Sequence, residues 1–161
     1  MTETDYALLR SQFIALAGGE PDALANASNF VALLYNALEN VNWLGIYVLR
    51  DDTLVLGPFQ GKPACVRIPL GSGVCGTAAA TLQTQRVADV HAFPGHIACD
   101  PDSRSELVVP LIVHNELVGV LDIDSPSPDR FSDGDQAGIE LLCERFCEAL
   151  PVSTPFSSKG L

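Results

Sequence analysis

The chain has 161 residues, 47% of them apolar, and its 20 Asp and Glu against 9 Lys and Arg give a formal net charge of −11. A single domain of this length buries about 68–70% of the surface that its unfolded chain exposes, so a core can form without disulfide or metal staples. The nine basic residues are scattered singly from Arg10 to Lys159, which excludes the clustered cations that nucleic acid or an anionic membrane surface requires.

Acidic residues precede the first apolar positions and no basic leader is present, so no signal peptide is expected. No apolar run reaches bilayer-spanning length. Five cysteines are an odd count for a disulfide framework. The expectation is a cytoplasmic protein with one domain over residues 1–150 and a turn-rich tail over 151–161.

In chain order, Asp5–Leu16 predicts a helix with Leu8, Phe13 and Leu16 near one face. After the GGEPD break, Asp22–Leu38 repeats Leu24, Ala27, Val31, Leu34 and Leu38 at helical spacing. The period then shortens. Asn42–Arg50 and Thr53–Gly61 are rich in β-formers and joined by Asp51-Asp52, which predicts a hairpin. CVRIPL reads as a short strand headed by Cys65, and GSGVCGTAAATLQTQ as a glycine turn running into an Ala-rich helix. RVADV predicts a small strand, followed by a long loop from His91 to about Ser105. ELVVPLIV and ELVGVLDID form a second hairpin around His114-Asn115. Ser132, with Asp135 three residues on, caps a last helix through Ile139, Leu142, Cys143, Phe146 and Leu150. Helices at both ends of antiparallel hairpins make an α+β domain with a central antiparallel sheet of about six strands.

The cysteines divide by setting. Cys143 and Cys147 lie four apart on an apolar helix face and read as small core residues. Cys75 follows a glycine turn at a helix start. There it either fills a tight junction or gains a lowered thiol pKa from the helix end. Cys99 sits in the polar stretch HIACDPDSRSE, where packing alone does not account for a cysteine. His91, His96 and Cys99 can be drafted as zinc ligands with Cys65 or Cys75, but paired ligand spacing is missing, so no metal is expected. The histidines are expected to order the loop or face solvent.

The acids supply a second pattern. Asp122 and Asp124 are two apart on a strand and share a face, and Glu106 begins the neighbouring strand. Trp43 and Tyr47 also share one strand face. Aromatic walls with convergent carboxylates suit a small zwitterion or cation bearing an ammonium group.

FQGKPACVRIPLGSGVCGTAAA, DVHAFPGHIACDPDSRSELVVPL and GVLDIDSPSPDRFSDGD resemble the free methionine-(R)-sulfoxide reductases, small proteins with a GAF-type fold. The resemblance runs from roughly residue 37 to 150. It implies reduction of the R epimer of free methionine sulfoxide, with Cys99 as nucleophile and Cys65 and Cys75 as the other redox thiols, Cys65 being favoured for resolution. It implies a substrate pocket of Trp43, Tyr47, Glu106, Asp122 and Asp124. Asp122 is expected to take the substrate ammonium, and Glu106 with Asp124 to act at the oxygen. Attack by Cys99 leaves a sulfenic acid, a second thiol condenses with it to a disulfide, and thioredoxin (with NADPH and thioredoxin reductase) restores the thiols. No bound cofactor is implied, and a homodimer through the terminal helices is. Two other readings remain open from the residues: a GAF module that binds a small molecule without turnover, and a thiol redox sensor.

Overall fold

The computed structural model describes residues 3–151; the tail expected over 151–161 lies outside them but for its first residue. The elements run α1 (Tyr6–Ala17), α2 (Ala23–Ala37), β1 (Trp43–Arg50), β2 (Thr53–Gln60), β3 (Arg67–Pro69), α3 (Gly73–Thr81), β4 (Gln85–Val87), β5 (Ser105–Val113), β6 (Glu116–Ser125) and α4 (Asp133–Glu148). The strands form one sheet in the order β3-β2-β1-β6-β5-β4, with every neighbouring pair antiparallel. The α+β class, the two hairpins and the six strands agree with the expectation.

Alternation along the strands gives the sheet two unlike faces. Leu44, Ile46 and Val48 of β1, Leu107, Val109 and Leu111 of β5, and Leu121 and Ile123 of β6 point to one side and are buried under α1, α2 and α4. Phe13, Phe30 and Phe146, one from each helix, meet there, with the Phe30 and Phe146 rings stacked at 4.7 Å. Full burial of one such side chain contributes about 1.5–3 kcal/mol, so this layer is the main source of stability. Cys143 and Cys147 belong to it, as expected.

The turns follow local chemistry. Asp51 closes the first hairpin with φ of 53°, and His114 and Asn115 close the second with φ of 49° and 63°. Ser132 and Asp135 form a reciprocal capping box at the start of α4. Asp135 also accepts from Tyr6 Oη and from Arg130 Nη1, tying α1 to α4.

Two expectations are corrected. On α1 the buried residues are Leu9 and Phe13, while Leu8 and Leu16 are exposed. Leu8 lies five residues from Phe13, roughly 140° around the helix, so the two cannot share a narrow stripe. On α2 Leu24 is exposed. That turn instead buries Asn26, whose side chain donates to Glu20 O across the GGEPD break.

Candidate active site

The second face of the sheet carries the polar residues. Trp43 pairs with Asp124, and Asp124 with Glu106, in one row across β1, β6 and β5. Gly45 pairs with Asp122 in the next same-facing row, and Tyr47 follows at the third. The register therefore brings three acids and two aromatic rings to one spot. Gly45 is required there, because a Cβ would lie 2.5 Å from both Trp43 Cη2 and Phe59 Cβ. With that space open, the indole of Trp43 stacks on Phe59 at 5.5 Å and on Tyr47 at 5.9 Å.

The aromatic wall also holds the segment that carries Cys65. Trp43 Nε1 donates to Lys62 O at 3.1 Å, and Tyr47 Oη donates to Cys65 O at 2.8 Å. Cys65 was expected at the head of a strand, but β3 begins only at Arg67. Cys65 is thus a loop residue, half-buried, and bonded to Cys99 in a disulfide with a Cα–Cα distance of 5.6 Å. The loop bearing Cys99 is anchored near that bond. Lys62 Nζ pairs with Asp102 Oδ2 at 2.6 Å, and Asn42 Nδ2 donates to Asp100 Oδ2 and Ser103 Oγ, each at 3.3 Å.

The third side is α3, whose first turn places Cys75 into the site. Its thiol donates to Glu106 Oε1 at 3.9 Å. Of the two readings of Cys75, the buried residue filling a tight junction fits the structure, and the thiol lowered by the helix end does not. Burial first, then the charges of Asp122, Glu106 and Asp124, push Cys75 well above its ordinary pKa. The same crowding acts on the acids. Burial and then Asp122 and Asp124 push Glu106 well up. Burial raises Asp122 to about 6, and burial followed by Asp122 and Asp100 raises Asp124. Carboxyl groups so placed retain a proton among them near neutrality.

A partly open cavity of about 40 Å³ lies among these groups. Trp43, Tyr47, Cys75, Cys99, Glu106, Asp122 and Asp124 all line it, while Cys65 stands just outside through its bond to Cys99. Asp122 Oδ1 is buried with no hydrogen-bond partner. Among the described residues no Lys or Arg lines the cavity, so a positively charged group entering it meets the acids unopposed.

Of the two alternatives for His96, facing solvent is corrected, while ordering the loop stays compatible with its position. Its side chain is 16% exposed, lines the cavity, and brings Nε2 to 3.9 Å from Glu106 Oε2. Burial and then His91 lower its pKa. Its position three residues before Cys99 in HIAC was the available signal. His91, by contrast, is exposed and bonded to Asp89, as a loop-ordering residue should be. Ile68, Val74 and Ser103 also line the site, and nothing in their local pattern marks them apart from core or loop residues.

Comparison with known proteins agrees with this geometry. Residues 4–150 match the GAF domain family. The chain is 58% identical to the free methionine-R-sulfoxide reductase of Escherichia coli over 95% of this chain and 93% of that protein. Among solved structures, the fRMsr of Staphylococcus aureus in complex with substrate superposes with a TM-score of 0.88 at 48% identity, covering 92% of this chain and 97% of that one. The free methionine-R-sulfoxide reductase from Neisseria meningitidis, also in complex with its substrate, gives 0.87 at 39% identity, with 92% of each chain covered. A GAF-domain chain this close to named reductases over nearly its full length belongs to the free methionine-R-sulfoxide reductase family.

Proposed function

We propose that the protein reduces free L-methionine-(R)-sulfoxide to methionine by thiol chemistry. One observation carries the reading: Cys99 is disulfide-bonded to Cys65 at the mouth of a cavity walled by two aromatic rings and three carboxyl groups. A thiol reductase that has turned over once and awaits its reductant would have that arrangement.

The substrate is a zwitterion with a polar sulfoxide. Asp122, whose Oδ1 lacks a partner, takes the α-ammonium. Trp43 and Tyr47 hold the S-methyl group and stabilise positive charge developing on sulfur. Glu106, kept protonated by its surroundings, gives its proton to the sulfoxide oxygen, with Asp124 sharing that proton. Attack by the Cys99 thiolate on the activated sulfur moves the oxygen to Cys99 overall, so methionine leaves and Cys99 becomes a sulfenic acid. The Cys65 thiol then displaces that hydroxyl as water and forms the disulfide. An external dithiol of the thioredoxin class returns both thiols by exchange, and no prosthetic group is needed. A peptide-bonded methionine sulfoxide has no α-ammonium and would leave Asp122 unpaired, which limits the activity to the free amino acid.

The loop 96–106 moves in this cycle. In the disulfide form the cavity of about 40 Å³ accommodates little more than water, so substrate enters only after reduction lets Cys99 withdraw from Cys65. Two copies of the chain associate through the terminal helices, a reading supported by the exposed Leu8, Ile14 and Leu16 of α1, Leu24 of α2 and Leu141 of α4. Among the described residues no helix is long and apolar enough to cross a membrane, and a cytoplasmic location is our reading.

The test is oxidation of NADPH coupled through thioredoxin reductase and thioredoxin, with each epimer of free methionine sulfoxide supplied separately. Turnover of the R epimer alone is expected. Equal turnover of both epimers, or of neither, would overturn the assignment.

A further inference from the structure

Cys75, which the resemblance implies is a further redox thiol, is the one thiol lining the cavity that the disulfide leaves free. Its surroundings are those of a ligand. The Sγ of Cys75 and one carboxylate oxygen each of Glu106 and Asp122 lie within 4.8 Å of one another, and all three residues are buried. In tetrahedral zinc sites with bonds of about 2.0–2.3 Å, ligand atoms stand about 3.3–3.8 Å apart, so small side-chain rotations close the trio around an ion. Asp122, only 6% exposed, presents Oδ1 with no partner. That orphaned acceptor, on a side chain nine-tenths buried, is a second observation that points to a positively charged occupant, an ion here or the substrate ammonium in the reductase reading. From the loop side His96 brings Nε2 to 3.9 Å from Glu106 Oε2. Among the described residues no Lys or Arg lines the cavity to neutralise the acids.

We propose that Cys75, Glu106 and Asp122 form a binding site for a single divalent cation of the zinc class, occupied in the disulfide form of the protein, with His96 swinging in from beside Glu106 as a fourth ligand. Thiolate and imidazole in the donor set select zinc and its neighbours over magnesium or calcium, which prefer oxygen ligands alone. The cavity favours the same occupant: about 40 Å³ holds an ion or a few waters but not an amino acid. Binding releases the thiol proton of Cys75 to solvent, and no oxidation or reduction occurs. Because Glu106 and Asp122 are the groups that the reductase reading gives to substrate, the ion and methionine sulfoxide exclude one another. That consequence rests on the reductase reading. Occupancy of the site does not.

The probe is Co²⁺ titrated into metal-free protein oxidised to the Cys65–Cys99 form, with no reductant present, so that those two sulfurs cannot ligate. One equivalent is expected to bind with a thiolate-to-cobalt charge-transfer absorption in the near ultraviolet, and one equivalent of Zn²⁺ should abolish that absorption. Cys75→Ser should remove the band. Asp122→Asn and His96→Asn should keep Cys75 available but weaken binding by ~10-fold or more, since even the loss of an outer-shell partner costs about 10–100-fold in such sites. Absence of the band in the parent protein, or its survival in Cys75→Ser, would overturn the site. Unchanged affinity in both Asp122→Asn and His96→Asn, with circular dichroism as in the parent, would do the same. Turnover of methionine-(R)-sulfoxide in the presence of a chelator is independent of all these outcomes, so the failure of either proposal leaves a distinct record.

Discussion

Replacing Asp122 by Asn should separate what this carboxylate does for substrate from what it costs the fold. Asp122 is 6% exposed, its Oδ1 has no partner, and after burial its charge is the next cause of the raised pKa values of Glu106, Asp124 and Cys75. In the free protein that charge is met, among the described residues, only by hydrogen bonds from Glu106 and Cys75, with no cation facing it. In the complex the same charge meets the substrate ammonium in a nearly dry cavity, and truncating one partner of such a pair costs about 2–5 kcal/mol. The expected loss in kcat/KM is therefore roughly 30-fold to several thousand-fold. Stability should change in the opposite direction. The amide keeps the shape and removes a negative charge from the buried acid cluster, relieving the repulsion that raises Glu106 and Asp124. A gain of about 1–2 kcal/mol raises Tm by roughly 2–8 °C for a chain of this size. The assay is steady-state turnover of free methionine-(R)-sulfoxide and of its N-acetyl derivative, with thermal unfolding of the same preparations in a chelator. The parent should strongly prefer the free amino acid, and the variant should lose that preference. A variant that keeps its kcat/KM within threefold, or that loses stability together with activity, would refute the role given to Asp122.

Other expectations follow from single contacts. Cys65→Ser should stop after one turnover with Cys99 held as sulfenic acid, trapped by dimedone and seen by mass spectrometry. Cys75→Ser should still form the 65–99 disulfide in one turnover; a 65–99 bond missing there would give Cys75 a part in resolution. Gly138→Ala should destabilise, although alanine is ordinarily the better helix former, because its Cβ would overlap the Tyr6 ring. The cost is about 1–3 kcal/mol by urea unfolding, and a neutral result would mean that α1 is free to move off α4. Burial raises the Asp135 carboxyl, but the hydrogen bonds from Ser132 and Tyr6 and the charge of Arg130 outweigh it and hold the pKa below the usual value. A lowered folded pKa contributes stability that is present above the unfolded value, about 3.9, and lost as pH falls through the folded one. Asp135→Asn should therefore cost about 1–2 kcal/mol at pH 7, and parent and variant should converge below about pH 4; a gap independent of pH would point to shape rather than charge.

The strand pattern made much of this fold legible. Alternation in NWLGIYVLR and ELVGVLDID set which residues share a face, and the turn residues Asp51, His114 and Asn115 fixed both hairpins. The Ser132–Asp135 box was equally local. The face of α1 was not, because Leu8, Leu9, Phe13 and Leu16 offer competing apolar stripes and only the position of α2 and α4 selects Leu9 and Phe13. Within the site, Asp122 with Asp124 and Trp43 with Tyr47 could be paired from strand spacing, whereas the row joining Trp43, Asp124 and Glu106 depends on the order β1-β6-β5. Pattern alone left Cys65 in a strand and His96 either ordering the loop or facing solvent. Cys65 left the strand and His96 the solvent because the loops 61–66 and 96–103 fold together, held by the disulfide and by Lys62 on Asp102. The depth of Cys75 among the acids is likewise a product of α3 docking across β5 and β6, which no local motif encodes.

The most direct test uses fully reduced protein without any external reductant, mixed with one equivalent of either epimer of free methionine sulfoxide. The R epimer should yield close to one equivalent of methionine, with two thiols lost and mapped to a Cys65–Cys99 disulfide, and the S epimer should yield none. Reduced, folded protein that releases no methionine from the R epimer would contradict the assignment of this pocket as a reductase site.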